Sequence, residues 1–261
     1  MTTMREELFK WDSGQKPPWG EVIGMYLALH GLRGFWPMSS VNESGSAIDL
    51  SAQARHLTRV TVTFNHTDTV SPFMPYASFN TDRYLYRADE AGLDILGSEA
   101  YINSAQRGLT VGCWIRPSTI GAGDGGIISK YNTSGDQRSY MLYRQNSSNR
   151  FRFLVSPDGS ATSGQTTSLD WTGSTWHFVV GRFVPSTSIS IYVNGTWDTN
   201  VTSIPAAIFN SSAAFEIGSY AAGVSASTWA HQQSLAFLCA GALSDAVINA
   251  LYRRTRALFG V

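Results

Sequence analysis

Short segments in which apolar and polar residues alternate recur along this chain, and polar or glycine-containing turns separate them. The alternation runs through Leu109–Arg116 until Pro117 ends it, and through Ser188–Val193 until the dipeptide Asn194-Gly195. A period of two places every second side chain on the same face of a β-strand. An Asn-Gly pair after such a segment is the strongest short-range signal of a β-hairpin. The pattern therefore predicts antiparallel strands that cover a core with one face.

A second hairpin and several further strands are predicted in the same way. Tyr140–Arg144 and Phe151–Val155 flank the polar tip Gln145–Asn149, which is typical of two antiparallel strands joined by a loop. Additional strands are expected at Gly126–Lys130, Trp176–Arg182, Phe215–Gly218 and Leu235–Ala240.

One helix is predicted with clear signals, near the C-terminus. Ser244 can cap it, because a serine hydroxyl can accept a backbone N–H there, and Asp245 suits the positive end of the helix dipole. Helical spacing of apolar residues and positive charge in the later turns support the same element, through Val247, Leu251, Leu258, Arg253, Arg254 and Arg256. These arginines are interpreted as solvent-exposed side chains whose positive charge suits the negative C-terminal end of the helix dipole, and not as a patch that binds nucleic acid.

The composition excludes several classes of protein. Of the 261 residues, 43% are hydrophobic and 12% are aromatic, which suffices for a sizeable core and excludes a disordered chain. Basic and acidic residues number 19 each, and a net charge of +0 gives no reason to expect nucleic acid or a membrane surface as a partner. Cys113 and Cys239 lie in apolar strand segments, which favours two buried thiols over a disulfide.

Residues 1–30 differ in composition from the rest of the chain. They contain two tryptophans, a Pro-Pro pair and mixed charges, and they lack the cationic start and apolar stretch of a signal peptide. The expected division is an N-terminal arm at 1–30 and one domain at 31–261. A frayed terminus is one interpretation of the arm. The other is an anchor that docks Phe9, Trp11 and Trp19 on a partner or a neighbouring subunit.

Several motifs occur in the order found in one known family. The strand that begins at Trp176-His177 and the hairpin Tyr192–Gly195 resemble those of laminin-G-like domains in the concanavalin A-like superfamily. Other segments that resemble the family's pattern are Gly34–Pro37, Asp49–Ser51, Leu109–Pro117, Ile127–Lys130, Ala214–Gly218 and Leu243–Tyr252. Thr61–Tyr86 has no counterpart in that pattern and is interpreted either as an insertion or as an interface loop.

The resemblance implies an all-β fold in which two antiparallel sheets pack face to face as a jelly-roll β-sandwich, followed by a short C-terminal helix. Aromatic side chains of the strands would then supply much of the core. Those expected there are Trp36, Trp114, Phe153 and Trp176. The resemblance further implies a structural or interaction module.

The superfamily also includes glucanases, so hydrolysis has to be considered. Glucanase relatives carry their catalytic carboxylates on one strand as E-x-D-x-x-E, and in this chain no Glu is followed two residues later by Asp. Retaining glycosidases need two carboxyl groups about 5 Å apart, and isolated carboxylates such as Asp170 and Glu216 are what remains. The nucleophile-elbow pattern G-x-S-x-G is also absent, and His177 is interpreted as a packing residue. We therefore expect no enzyme activity.

Two kinds of binding site are considered. Aromatic residues in turn-like segments rich in Ser and Thr could stack on sugars, and the candidates are Trp171, Trp197, Tyr220 and Trp229, with rim packing as the alternative. No cofactor is required, but the resemblance implies that calcium could lie at a rim of the sandwich. Loop residues with suitable oxygen atoms are Asp124, Asn132, Asp136 and Asp158, for which turn chemistry alone is the alternative.

Three functions are weighed. The first is a non-enzymatic phage virion component, assembled in the host cytoplasm, that decorates a capsid or tail as a homo-oligomer and is attached to a shell or tail protein through its arm. This hypothesis rests on the lack of a recognisable signal peptide or disulfide and on fold analogy. The alternative is a lectin that binds cell-surface glycans. A glycoside hydrolase is the least supported of the three.

Overall fold

The computed structural model describes residues 23–24, 27–28, 30–38, 45–65, 74–80, 82–98, 107–117, 123–145, 148–171, 173–223 and 230–261. The strands are β1 (Leu32–Trp36), β2 (Thr58–Val60), β3 (Thr63–Asn65), β4 (Tyr76–Phe79), β5 (Tyr84–Arg87), β6 (Leu109–Pro117), β7 (Gly125–Asn132), β8 (Gln137–Gln145), β9 (Arg150–Val155), β10 (Ser163–Thr166), β11 (His177–Val184), β12 (Ser188–Val193), β13 (Thr196–Asn200), β14 (Phe215–Ile217) and β15 (His231–Ala240). The C-terminal helix is Asp245–Thr255, and 3-10 helices lie at Ala91–Leu93, Ser134–Asp136 and Arg256–Phe259. None of the helices in these ranges is long and apolar enough to cross a membrane.

The strands form two antiparallel sheets. The first sheet has the order β13-β12-β11-β6-β15-β4-β3, with β1 also paired to β15, and the second has the order β10-β9-β8-β7-β14-β5-β2. Both predicted hairpins are confirmed, since Tyr192 lies opposite Trp197 across β12 and β13, and Tyr140 lies opposite Val155 across β8 and β9. The all-β sandwich of two sheets with a C-terminal helix is therefore as the sequence predicts.

The inner faces of the two sheets enclose the main core. Trp36 and Phe153, both predicted core residues, are fully buried there, and Trp36 stacks on Phe215 with ring centroids 5.0 Å apart. Burying one such side chain contributes roughly 1.5–3 kcal/mol. A glycine allows the two sheets to approach each other closely at one point, because a Cβ atom at Gly181 on β11 would lie 2.4 Å from the Phe153 ring on β9.

A second core covers the outer face of the first sheet. Trp114 and Trp176, the other two predicted core residues, are buried here and not between the sheets. The C-terminal helix supplies the cover, with Ile248 and Leu251 buried in the same cluster as these tryptophans. The predicted cap is confirmed, since the Ser244 hydroxyl accepts the backbone N–H of Val247 at 3.4 Å.

The described part of the N-terminal region joins the second core. Ile23 and Leu27 are buried in it, although both fall within the segment 1–30 that the sequence assigns to the arm. Phe9, Trp11 and Trp19 lie outside the described residues, so their anchoring role stays a prediction. An experiment that removes the arm must keep Ile23 and Leu27, because their loss would expose apolar surface of the second core.

The segment Thr61–Tyr86, which has no counterpart in the family pattern, contributes to both sheets. β4 pairs with β15, where Phe79 lies opposite His231, and β5 pairs with β14, where Leu85 lies opposite Ile217. The described parts of this segment are therefore strands of the sandwich. Residues 66–73 within it lie outside the described residues.

The two cysteines are free and buried. Cys113 faces the main core and Cys239 faces the second core, so that the first sheet separates their side chains. The expectation of two buried thiols is confirmed.

Candidate functional site

One end of the sandwich gathers loops from both sheets. In the first sheet β11 begins and β12 ends here, and in the second sheet β8 ends and β9 begins here. The connection from β10 to β11 crosses this end and contacts both sheets. We call the resulting surface the Trp171 rim, and it comprises Asn149, Arg150, Asp170, Trp171, Thr175, His177 and Asn194.

Trp171 lies at the centre of this rim. Its backbone N–H donates to the carbonyl of Asn149 at 2.6 Å, which fixes the loop to the tip of the β8–β9 hairpin. Its half-buried ring packs against the main core and meets the His177 ring edge to face, with centroids 5.2 Å apart and an interplanar angle of 66°. The indole Nε1 is buried and has no hydrogen-bond partner among the residues that the structure describes, a costly situation for a donor.

His177, the first residue of β11, contacts the ring of Trp171 and has its own hydrogen-bond partners. Its Nδ1 lies 3.0 Å from the side-chain nitrogen of Asn194, and its Nε2 lies 3.3 Å from the hydroxyl of Thr175. Burial lowers the pKa of His177 to about 4, so the imidazole is neutral at pH 7. These contacts agree with the packing role predicted for His177.

The rim also presents charged groups to solvent. The Nε of Arg150 donates to the Asp170 carboxylate at 2.8 Å, and the two side chains are 43% and 54% exposed. Nearby, the buried guanidinium of Arg144 donates to the carbonyl of Gly123 at 2.9 Å. An exposed ion pair contributes little to stability, so Arg150 and Asp170 can exchange partners with a polar ligand at low cost.

Among the rim residues, the sequence predicts only Trp171 as a binding residue. Asp170 is expected only as an isolated carboxylate and His177 as a packing residue. Asn194 is expected only as a turn residue, and its left-handed φ of 51° suits the hairpin. Arg150 and Asp170 are 20 residues apart in the chain and meet only because the β10–β11 connection folds back over β9. In the sequence, only their opposite charges suggest that Arg150 and Asp170 could pair. Many other pairs of residues in the chain also have opposite charges, so this does not single them out.

The other aromatic candidates lie elsewhere. Trp197 is on the outer face of the first sheet, edge-on to Tyr192 with ring centroids 5.0 Å apart, and the guanidinium carbon of Arg182 is 4.2 Å from its ring centroid. Tyr220 packs on the outer face of the second sheet, edge-on to Tyr131 at 5.9 Å.

These positions show that Trp171, Trp197 and Tyr220 do not form one site. Each ring is half-buried and packs against a different apolar cluster. Trp229 lies outside the described residues. Sugar binding by Trp197, Tyr220 and Trp229 stays a prediction.

The calcium candidates include one residue that lies far from the others along β7. Asp124 immediately precedes β7 and Asn132 ends it, and a strand of 8 residues at about 3.3 Å per residue keeps them roughly 25 Å apart. The side-chain oxygen of Asn132 accepts the backbone N–H of Ser134 at 2.9 Å, as in an ordinary turn.

The remaining two candidates, Asp136 and Asp158, have local partners. Asp136 pairs with Arg138 at 2.9 Å. Asp158 accepts the backbone N–H groups of Ser160 and Ala161, which lower its pKa. Within the described ranges, no three His, Cys, Asp or Glu side chains come together as possible metal ligands. Calcium binding stays a prediction.

Two carboxylates approach each other at the opposite end of the sandwich, around Lys130. The fully buried ammonium of Lys130 donates to Asp89 at 2.7 Å and lies 3.1 Å from Asp94. It also donates to the carbonyls of Ser211 and Ala213. An ammonium shared by two carboxylates is typical of a structural ion cluster, because a glycosidase pair needs one protonated acid and one free base.

Glu216, the other isolated carboxylate, is buried on the outer face of the second sheet. It accepts the backbone N–H groups of Ala222 at 2.7 Å and Gly223 at 3.2 Å. Burial raises its pKa in spite of these hydrogen bonds. These hydrogen bonds hold the turn after β14. Among the hydrogen bonds of the described residues, none joins Glu216 to a second carboxylate.

Comparison with solved structures agrees with this architecture. The binding domain of Paraclostridial Mosquitocidal Protein 1 matches with a TM-score of 0.65 at 12% identity, over 87% of this chain and 53% of that one. The binding domain of botulinum neurotoxin serotype D/C matches with a TM-score of 0.59 at 16% identity, over 87% of this chain and 53% of that one.

A third similar structure is that of botulinum neurotoxin type C, which depends on interaction with two ganglioside molecules to enter cells. It matches with a TM-score of 0.58 at 14% identity, over 88% of this chain and 52% of that one. This chain thus spans about half the length of each structure, and at identities this low the TM-scores show a shared fold alone.

The sequence itself matches a family model. No curated protein sequence matches the chain significantly. The model of the laminin G-like family, described as the concanavalin A-like lectin/glucanases superfamily, matches residues 95–232, which is more than half of the chain. That range includes β6 to β14 and every residue of the Trp171 rim. The chain therefore belongs to the laminin G-like family of the concanavalin A-like superfamily, as its motifs and its two-sheet sandwich indicate.

Proposed function

We propose that this chain is a non-enzymatic recognition module that binds a glycan at the Trp171 rim. The observation that carries the proposal is the rim itself, where Trp171 directly follows Asp170 in the chain and Asp170 pairs with the exposed Arg150. Sugar sites combine an aromatic surface with a few directed polar groups. The binding-domain fold, and the ganglioside interaction of botulinum neurotoxin type C, support a glycan as the ligand class.

A glycan array with three variants tests this proposal. Arg150→Ala removes an exposed cation and Trp171→Ala removes the ring, and both are expected to abolish binding. Trp197→Ala is the matched control, because Trp197 packs on the outer face of the first sheet. Binding by both rim variants at the wild-type level would contradict the proposal. Release of reducing sugar from a bound β-glucan would contradict the non-enzymatic part.

We further propose that the module is carried by a phage particle, as a capsid-decoration or tail-associated protein assembled in the host cytoplasm. Two buried, unpaired cysteines support folding in a reducing compartment. In this proposal the N-terminal arm attaches the domain to a shell or tail protein, as part of a homo-oligomer, and the sandwich faces solvent.

Sedimentation of lysate from the native source, followed by mass spectrometry, tests the virion proposal. We expect the chain to travel with megadalton particles at a fixed ratio to a major shell protein. Deletion of residues 1–20 should abolish attachment while the sandwich stays folded, since Ile23 and Leu27 remain in the second core. A chain that sediments as a free oligomer would contradict the virion proposal, and full attachment of the deleted chain would contradict the anchor.

A further inference from the structure

The carboxamide of Asn194 is held in one orientation by the backbone of β11. Its side-chain oxygen accepts the backbone N–H of Phe178 at 2.8 Å, and its own backbone N–H donates to the carbonyl of Phe178 at 3.2 Å. A flipped amide would place its NH₂ group against the N–H of Phe178, donor against donor. The side-chain nitrogen of Asn194 must therefore point toward His177.

This orientation determines the tautomer of His177. An amide nitrogen only donates, so Nδ1 of His177, 3.0 Å away, accepts and carries no proton. The proton of the neutral ring is then on Nε2, where it can donate to the hydroxyl of Thr175 at 3.3 Å. Both ring nitrogens are satisfied in the neutral state and in that tautomer alone.

Protonation of the ring reverses one of these contacts. A proton on Nδ1 would face the NH₂ group of Asn194, and the amide cannot turn without losing Phe178. The same ring supports Trp171 edge to face at 5.2 Å. We propose that the His177–Asn194 contact is a proton-operated latch, which holds Trp171 and the Asn194-Gly195 turn in place at neutral pH and releases them in acid.

The surrounding charges do not offset the cost of protonation. Of the elements packed against His177, β9 contributes Arg150 and the β10–β11 connection contributes Asp170, which pair with each other at 2.8 Å. Neighbouring β6 contributes Arg116, whose guanidinium donates to the carbonyl of Ser174 at 2.7 Å. Burial is the cause of the lowered pKa of His177. Within the described part of the chain, the ring nitrogens contact Thr175 and Asn194 and no carboxylate.

The latch is tested on the unliganded protein by NMR. The His177→Gln variant assigns the imidazole signal, and the Trp171→Phe variant assigns the Trp171 indole signal. We expect the imidazole of His177 to titrate near pH 4, and the indole signal of Trp171 to change with the same midpoint, while the far-UV circular dichroism stays constant. In His177→Gln the indole change should disappear.

Asn194→Asp is the decisive variant. An aspartate can still accept the N–H of Phe178, and its second oxygen would accept a proton from Nδ1, so the His177 midpoint should move to higher pH. Because the protonated ring is then satisfied, the indole change should vanish, and an indole change that follows the new midpoint would also overturn the latch. A His177 midpoint near 6.5, an unchanged midpoint in Asn194→Asp, or loss of secondary structure together with the indole change would each overturn the latch. The latch concerns regulation of the proposed glycan site, but no ligand is used here, so its failure and the failure of glycan binding are separate results.

Discussion

The indole Nε1 of Trp114, on β6, donates to the hydroxyl of Thr255 at 2.8 Å, in the last turn of the C-terminal helix. The same hydroxyl donates to the carbonyl of Leu251 at 2.7 Å, one turn earlier. Trp114 is fully buried, and its ring stacks on Phe259 with centroids 4.5 Å apart. This one hydroxyl therefore joins the first sheet to the helix that covers it.

Thr255→Val tests this junction, because valine keeps the shape and removes the hydroxyl. The Trp114 N–H would stay buried without an acceptor, and an unsatisfied donor costs about 1–3 kcal/mol. We expect the free energy of unfolding in urea to fall by that amount. Thr255→Ser is the control, since it keeps the acceptor and should lose less. Equal stability of Thr255→Val and the wild type would show that water replaces the bond.

Lys130→Met tests the ion cluster with Asp89 and Asp94. Removing the buried ammonium leaves two carboxylates that lack their cation, and breaking a buried pair from one side costs about 3–5 kcal/mol. Because the Asp89 side chain is 38% exposed, we expect the loss to come mainly from Asp94, which is 14% exposed. The triple variant Lys130→Met, Asp89→Asn, Asp94→Asn should recover much of this stability in urea unfolding. A triple variant as unstable as Lys130→Met would contradict the electrostatic explanation.

Glu216→Gln tests the pH dependence of stability. Since burial raises the pKa of Glu216, the folded protein holds this proton more tightly than the unfolded chain. The stabilisation that comes from this tighter proton binding is fully present below pH 4.5, the ordinary pKa of a glutamate, and is lost as the pH rises through the pKa of Glu216 in the folded protein. We therefore expect Glu216→Gln to gain stability relative to the wild type between pH 4 and pH 8, measured as the difference in the free energy of unfolding.

Glu90→Gln is the control of opposite sign. Burial alone would raise the pKa of Glu90, but the hydrogen bonds from Arg87 and Arg55 outweigh burial and lower it. Glu90 thus contributes stability above its ordinary pKa, which is lost as the pH falls. Glu90→Gln should become less stable relative to the wild type as the pH rises. If the stability of both variants relative to the wild type changed in the same direction with pH, burial could not be the cause for Glu216 while the arginine hydrogen bonds are the cause for Glu90.

Gly181→Ala tests the close approach of the two sheets. The added methyl group would meet the Phe153 ring at 2.4 Å, and overpacking of a core costs about 1–3 kcal/mol. A second variant, Gly181→Ala with Phe153→Leu, should be more stable than the sum of the two single changes predicts. Purely additive free energies of unfolding would show that the clash is relieved elsewhere.

The strands and the helix could be predicted because their signals are local. The alternation in Ser188–Val193, the turn residues Asn194-Gly195 and the cap Ser244 each act within a few residues, and the structure confirms them. The cover of the first sheet could not be predicted in this way. Trp114 and Phe153 are both buried aromatic residues on strands, but the sequence does not show that Trp114 faces the C-terminal helix while Phe153 faces the other sheet.

The sequence by itself determined the family, the two-sheet class and the helix, because repeated short-range patterns of polarity and turn residues specify strands, and the order of several motifs specifies the family. Only the tertiary structure decided which side chains share a surface. Arg150 meets Asp170, and Asn194 meets His177, through loops that return from different strands. Such contacts depend on the order of strands in the sheets and on where each connection crosses the rim. No local pattern in the chain specifies which of these residues come close together.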